Sequence, residues 1–134
     1  MPSDGVATTA RILIVDDDAS VTDWFSRTMR LEGHEVWAAR SADEGLGLAR
    51  AHRPHAVILD LRMPLANGLR FLRAIRAIPG LLTAPFAIVT SDYAQDEAQT
   101  AEIGALGAEL RYRPLWLNEL AALAHELLAV PVQS

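Results

Sequence analysis

Short apolar runs alternate along the chain with longer stretches whose apolar residues recur every three or four positions. The runs are RILIV (11–15), HEVWAA (34–39), HAVILD (55–60), PFAIVT (85–90) and, less distinctly, ELRYRP (109–114). Their content of Val, Ile and aromatics, and the turn residues that bound them, predict β-strands. Helical patterns lie between and after them. Val21, Trp24, Phe25 and Thr28 fall at i, i+3, i+4 and i+7, one face of a helix that Gly33 terminates. SADE (41–44) has the spacing of a capping box, in which Ser41 and Glu44 satisfy each other's helix-end amides, with Leu46 and Ala49 turned to the sheet. Leu69, Leu72 and Ile75 mark a third helix that Pro79-Gly80 ends; residues 91–104 predict a fourth and 115–130 a fifth. In the fifth, Leu117, Leu120, Ala121, Ala124 and Leu128 are expected to face the sheet. That phase leaves Trp116, Leu123 and Leu127 partly exposed, an apolar strip of the kind that marks an interface; a broader stripe that turns these residues to the core is the equal alternative.

Five strand-helix units predict an α/β fold of three layers: a doubly wound parallel sheet, flavodoxin-like, (βα)5, with strand order 2-1-3-4-5. Residues 1–10 read as a polar tail, 11–130 as one domain and 131–134 as a second tail. Functional residues in such a sheet gather at the carboxyl ends of the strands, near the point where strand order reverses. Strand one ends in Asp16-Asp17, strand three in Asp60, strand four in Thr90 and strand five in Arg113. The carboxylates of Asp16, Asp17 and Asp60 are therefore expected in one crevice.

Composition narrows the chemistry. A chain of 134 residues is long enough for one domain with a proper core. No apolar run has the length of a membrane span, and the N-terminus lacks the basic start and apolar centre of a signal peptide. Cytoplasm is the default compartment, and no membrane partner is expected. The absence of Cys excludes disulfides, zinc-thiolate sites and thiol catalysis. A formal charge of −5 argues against nucleic acid as a partner of the domain. All 12 basic residues are arginines, which removes any chemistry that needs a lysine ammonium; the uniform absence reads as a compositional bias.

Three carboxylates in one pocket cannot all stay ionised without a cation, and an all-oxygen donor set suits Mg²⁺. An aspartate beside such an ion can attack phosphorus and form an acyl phosphate. The Thr90 hydroxyl, backbone amides and the Arg113 side chain would then surround the equatorial oxygens with donors and positive charge. The crevice reads as a phosphoryl acceptor. Each piece alone has a plainer meaning: Asp18, Ser20 and Asp92 as helix caps, Thr90 as an ordinary strand end, the four histidines as surface residues. The set together is poorly explained that way.

ILIVDDD (12–18), AVILDLRMPLANG (56–68) and AIVTS (87–91) together resemble the receiver domains of two-component response regulators, and the likeness runs over roughly residues 11–130. The resemblance implies Asp60 as phosphoacceptor, Thr90 as switch hydroxyl, and Mg²⁺ held by Asp16, Asp17, Asp60 and the backbone carbonyl of Arg62. It implies a phosphohistidine donor, either a sensor histidine kinase or a histidine phosphotransfer protein. It also implies a shift of the face formed by the fourth helix, fifth strand and fifth helix; if the strip of Trp116, Leu123 and Leu127 is exposed there, a homodimer could form through that face. Such a domain is not an enzyme beyond its own phosphorylation and slow self-dephosphorylation; with no output domain expected after the fifth helix, the chain reads as either a stand-alone regulator or a receiver cut from something larger.

Two departures stand out. Arg113 occupies the place of the family's lysine, and Leu110 that of its switch aromatic; Tyr112 could take over the aromatic role, though alternation is expected to point it to the other face. Arg62 and Asp92, two residues beyond the acceptor and the switch threonine, could pair across the pocket mouth and lengthen the phosphorylated lifetime, although two unrelated surface charges are the plainer reading. A phosphorylation-independent interaction module on the same fold is the alternative. Asp16-x-Asp18-x-Ser20 also resembles the signature of haloacid-dehalogenase-type phosphatases, which form an aspartyl phosphate, but the lysine and the later acidic pair of that family are missing. Flavin binding is disfavoured, since aspartates after strand one would repel the cofactor's phosphate.

Overall fold

The computed structural model describes residues 9–60, 62–92 and 96–129. The outer parts of the expected tails, 1–8 and 131–134, lie outside them. The elements are β1 (Arg11–Asp16), α1 (Ala19–Leu31), β2 (Glu35–Ala39), α2 (Ala42–His52), β3 (Ala56–Asp60), α3 (Leu65–Arg76), β4 (Phe86–Thr90), α4 (Glu97–Ala105), β5 (Ala108–Tyr112) and α5 (Leu117–Leu128). The strands form one parallel sheet in the order β2-β1-β3-β4-β5, the expected doubly wound topology.

Strand alternation divides the core in two. Leu13, Val15, Val57, Leu59, Phe86 and Ile88 pack with α2, α3 and α4. Ile12, Ile14, Val36, Ile58, Ala87 and Val89 pack with α1 and α5. Burial on both faces explains why β1, β3 and β4 read as unbroken apolar runs. Arg76 is a buried cation in the first half-core, satisfied by the main-chain oxygens of Leu81, Ala84 and Leu106 at 3.0, 2.7 and 2.8 Å.

Helix phases differ from expectation in two places. Helix α1 buries Thr22, Phe25, Ser26 and Met29, so the stripe expected on Val21, Trp24, Phe25 and Thr28 is rotated, with Val21 and Trp24 at its flank. A buried threonine is tolerable there because Thr22 Oγ1 donates to Ala19 O at 3.1 Å within the helix. Helix α5 buries Leu120, Leu123, Ala124 and Leu127, an i, i+3, i+4, i+7 set. Leu123 and Leu127 are therefore core residues and form no exposed strip. Leu117, expected inside, is 39% exposed beside Trp116 at 67%.

Helix ends follow local chemistry. Gly33, at φ +96°, takes the left-handed turn after α1. Ser41 accepts from the Glu44 amide at 3.2 Å, while Glu44 Oε1 reaches one residue further back than a capping box requires, to Arg40 N at 2.8 Å. Helix α4 starts at Glu97, later than expected, with Asp96 accepting from Gln99 N at 3.0 Å; residues 93–95 of the anticipated helix lie outside the described set. The histidines all have partners: His34 and His55 Nδ1 accept the Ala10 and Arg11 amides at 3.2 and 2.8 Å, His52 stacks on Trp37, and His125 meets Glu32 at 2.6 Å. Among the described residues no helix is long and apolar enough to cross a membrane.

Candidate functional site

The carboxyl ends of β1 and β3 put Asp16 and Asp60 side by side as register partners. Both share parity with the residues that face α1 and α5, and both are buried, at 2% and 6% exposure. The chain leaves the sheet at Asp17, which is exposed. Asp18 then caps α1, accepting from Ser20 N at 2.9 Å and Ser20 Oγ at 2.6 Å, which holds its carboxyl below the usual range. The three consecutive aspartates thus occupy three different environments.

Burial sets the electrostatics. It pushes the Asp16 carboxyl up to about 7, against the Asp18 amide donating to Asp16 Oδ1 at 2.9 Å; the neighbouring Asp60 and Asp17 add to the rise. Asp60 is also pushed up by burial, while the Arg113 guanidinium and a hydrogen bond shared with Asp16 pull it down. Arg113 forms an ion pair through Nη2 with Asp60 Oδ1, and donates to the Asp60 main-chain oxygen at 3.3 Å. The contact to Oδ1 is one of charge, without hydrogen-bond geometry at that buried oxygen. β5 delivers Arg113: Thr90 pairs with Tyr112, and the next amide, Arg113 N, donates to Thr90 O at 2.9 Å.

These groups open into a pocket of about 410 Å³ lined by Asp16, Asp17, Asp18, Asp60, Arg62 and Arg113, with Leu115, Leu117 and Leu120 as an apolar wall. Arg62 is exposed, and its charge bears on Asp18 and Asp60. Thr90 is buried but lines a separate void of about 10 Å³ with Leu59, Met63, Leu65 and Gly68, on the α3 side of the sheet. Its Oγ1 accepts from Asp92 N at 2.9 Å, and Asp92 Oδ2 accepts from Leu65 N at 3.0 Å. Asp92 is a helix cap, then, but for α3.

The partial burial of Leu110 matches packing against the α3–α4 side. Tyr112, two residues on, keeps Leu110's parity, contrary to the expected opposite face. It stands 40% exposed beside its register partner Thr90. The signal was in the spacing: positions 110 and 112 lie two apart on a strand. The reach of Asp92 to α3 and the apolar wall of Leu115 and Leu117 were not anticipated. A hint for the first was Pro64, which precedes α3 and offers no side-chain cap.

The donor set offered to a metal ion is all oxygen: two buried carboxylates, with Asp17 near enough to raise both. Among the described residues no group of three acidic or histidine side chains is gathered into a ready-made cage. Mg²⁺ needs none, since it keeps several waters and is held by one or two carboxylates. With buried Asp60 Oδ1 lacking a hydrogen bond, the residues fit a small hard cation.

The family model for the response regulator receiver domain matches residues 12–109. Transcriptional regulatory protein PrrA of Mycobacterium tuberculosis is 33% identical over 121 residues, covering 90% of this chain and 51% of its own length. Response regulator MprA of Mycolicibacterium vanbaalenii is 34% identical over 118 residues, covering 88% and 50%. The chain spans about half the length of these curated relatives. Names that speak of transcription give no support to the expectation that nucleic acid is not a partner. Among solved structures, chemotaxis response regulator CheY4 of Vibrio cholerae superposes with a TM-score of 0.73 at 27% identity, covering 90% of this chain and 99% of its own. The HemR receiver domain of Leptospira biflexa, at 24% identity and a TM-score of 0.77 over 94% and 99%, shares the fold. Receiver domains are signalling domains that work with histidine kinases or phosphotransfer proteins. By matched sequence, strand order and topology, this chain belongs to the receiver domains of two-component response regulators.

Proposed function

We propose that Asp60 accepts a phosphoryl group from the phosphohistidine of a sensor histidine kinase or histidine phosphotransfer protein in the cytoplasm, and that the acyl phosphate is the signal. The supporting observation is the placement of Asp60: buried, beside Asp16, under a guanidinium and open to a 410 Å³ pocket. A carboxylate oxygen of Asp60 attacks phosphorus, the P–N bond breaks, and the electron pair returns to the imidazole of the donor. Asp16, Asp17, Asp60 and the Arg62 carbonyl would hold Mg²⁺, which supplies positive charge against the carboxylates and phosphoryl oxygens. Arg113 keeps the charge of a lysine in a longer, forked form, so one nitrogen can leave Asp60 for a phosphoryl oxygen while others stay.

Thr90 faces the α3 side and must turn toward Asp60 to donate its hydroxyl to the phosphoryl group. Tyr112, of the same parity and directly paired, is placed to follow that turn, so the aromatic role passes from position 110 to 112. The domain then has no substrate but its own aspartate and no turnover beyond slow loss of the phosphoryl group. The Arg113–Asp60 ion pair favours one second reading, an interaction module whose acidic site is already neutralised.

Incubation with Mg²⁺ and a small acyl phosphate separates the two. Intact mass should show a labile phosphoryl adduct that Asp60→Asn abolishes. Absence of an adduct, together with absence of Mg²⁺-dependent beryllofluoride binding, leaves the interaction module. Hydrolysis of unrelated phosphate esters would instead indicate a phosphatase.

A further inference from the structure

Helix α3 begins with an unmet need. Its first amides lack intrahelical acceptors, and Pro64 at the cap position offers no side-chain oxygen. The acceptor for Leu65 N comes from 27 residues away, Asp92 Oδ2 at 3.0 Å. Asp92 is also the donor that holds Thr90: its main-chain N–H lies 2.9 Å from Thr90 Oγ1. One residue therefore binds the hydroxyl at the end of β4 and the first turn of α3 at once. Beneath this bridge is the 10 Å³ void, lined by Thr90 and Leu65 among others. The void is at the lower limit of what one water needs, so it leaves room for small side-chain movement and little else.

We infer that Asp92 is a positioning residue that couples the Thr90 hydroxyl to the first turn of α3. The inference rests on the phosphoryl-acceptor reading of Asp60. When Thr90 turns toward a phosphoryl group, the Asp92 amide follows its oxygen, and the Asp92 carboxylate draws on the Leu65 amide. The loop from Arg62 to Pro64, which borders the acidic pocket, is fixed at one end by Asp60 and at the other by this cap. Phosphorylation is thereby felt at the start of α3.

The test compares the full chain with Asp92→Ala and Asp92→Asn. Asparagine keeps a carbonyl oxygen for Leu65 N, and alanine keeps nothing. Amide exchange is followed by NMR in the free protein and with Mg²⁺ and beryllofluoride, alongside beryllofluoride affinity. Loss of a helix cap should speed exchange at Leu65 by roughly tenfold in Asp92→Ala, with Asp92→Asn recovering most of it. In the wild type, beryllofluoride should change exchange at residues 65–69. In Asp92→Ala, binding should persist but that change should vanish. Unaltered Leu65 exchange in Asp92→Ala, or the same beryllofluoride response in both proteins, overturns the coupling alone. A wild type that binds no beryllofluoride overturns the phosphoryl-acceptor reading and the coupling with it.

Discussion

Asp16 carries the cost of the site in its resting form. Its carboxyl ionises near 3.8 in the unfolded chain and near 7 in the folded one, chiefly because burial disfavours the charge. Between those values folding takes up a proton, so this group's contribution to stability is full below about 3.8 and falls as pH rises to about 7. Asp60, also raised, works in the same direction. Asp16→Asn keeps an acceptor for the Asp18 amide and removes the charge. The metal-free variant should match the wild type near pH 4 and exceed it by on the order of 1–3 kcal/mol at pH 8. Denaturant titrations at several pH values measure the difference, and a pH-independent gap would refute the burial argument. The meeting of Asp16 and Asp60 at the ends of two apolar runs was legible in the sequence, because strand parity and switch-point topology suffice to bring them together. The second attachment of Asp92 was not legible, since it depends on Leu65, a partner 27 residues away.

Helices α1 and α5 show how phase is lost when only the apolar pattern is read. Both contain more apolar positions than one stripe can hold, so several phases fit equally well. In α1 the sheet selected one that buries Thr22 and Ser26 and leaves Trp24 at the edge. Helix α4 had the opposite problem: it buries only Ile103 and carries almost no stripe. The first four strands, by contrast, were placed to within a residue, because short apolar runs bounded by turns admit few alternatives; β5, less apolar, was expected at 109–114 and runs Ala108–Tyr112. Helix α2 offers a clean test of how close packing overrides propensity. A Cβ added to Gly45 would lie 2.8 Å from Val15 Cγ2 and 3.4 Å from Phe71, whereas one at Gly47 meets nothing within 4 Å. Alanine is favoured over glycine inside a helix by about 1 kcal/mol, so Gly47→Ala should stabilise by roughly 0.5–1 kcal/mol. Gly45→Ala should destabilise by about 1–3 kcal/mol as Val15 or the helix is forced to shift. Equal effects at the two positions, read from urea midpoints, would show that the helix rides loosely on the sheet.

The two half-cores share one sheet, and three of its strands are buried on both faces, so damage on either side reaches both. Leu123 decides what the α5 side does for the whole molecule. As part of an exposed strip it would serve association; with 1% of its surface accessible, it serves the α1–α5 half-core. Truncation to alanine removes buried methyl groups and leaves a cavity, a loss of about 2–5 kcal/mol. Because β1, β3 and β4 also carry the opposite half-core, that loss should appear as one cooperative transition at lower denaturant, coincident by tryptophan fluorescence and circular dichroism. The sedimentation mass of Leu123→Ala should equal that of the wild type under the same buffer. Trp116→Ala, at a position 67% exposed, supplies the contrast: its stability should stay within about 0.5 kcal/mol of the wild type, so any change in association that follows from it is a surface effect. A Leu123→Ala protein that keeps its stability but changes its mass would place Leu123 at an interface and undo the assignment of α5's inner face.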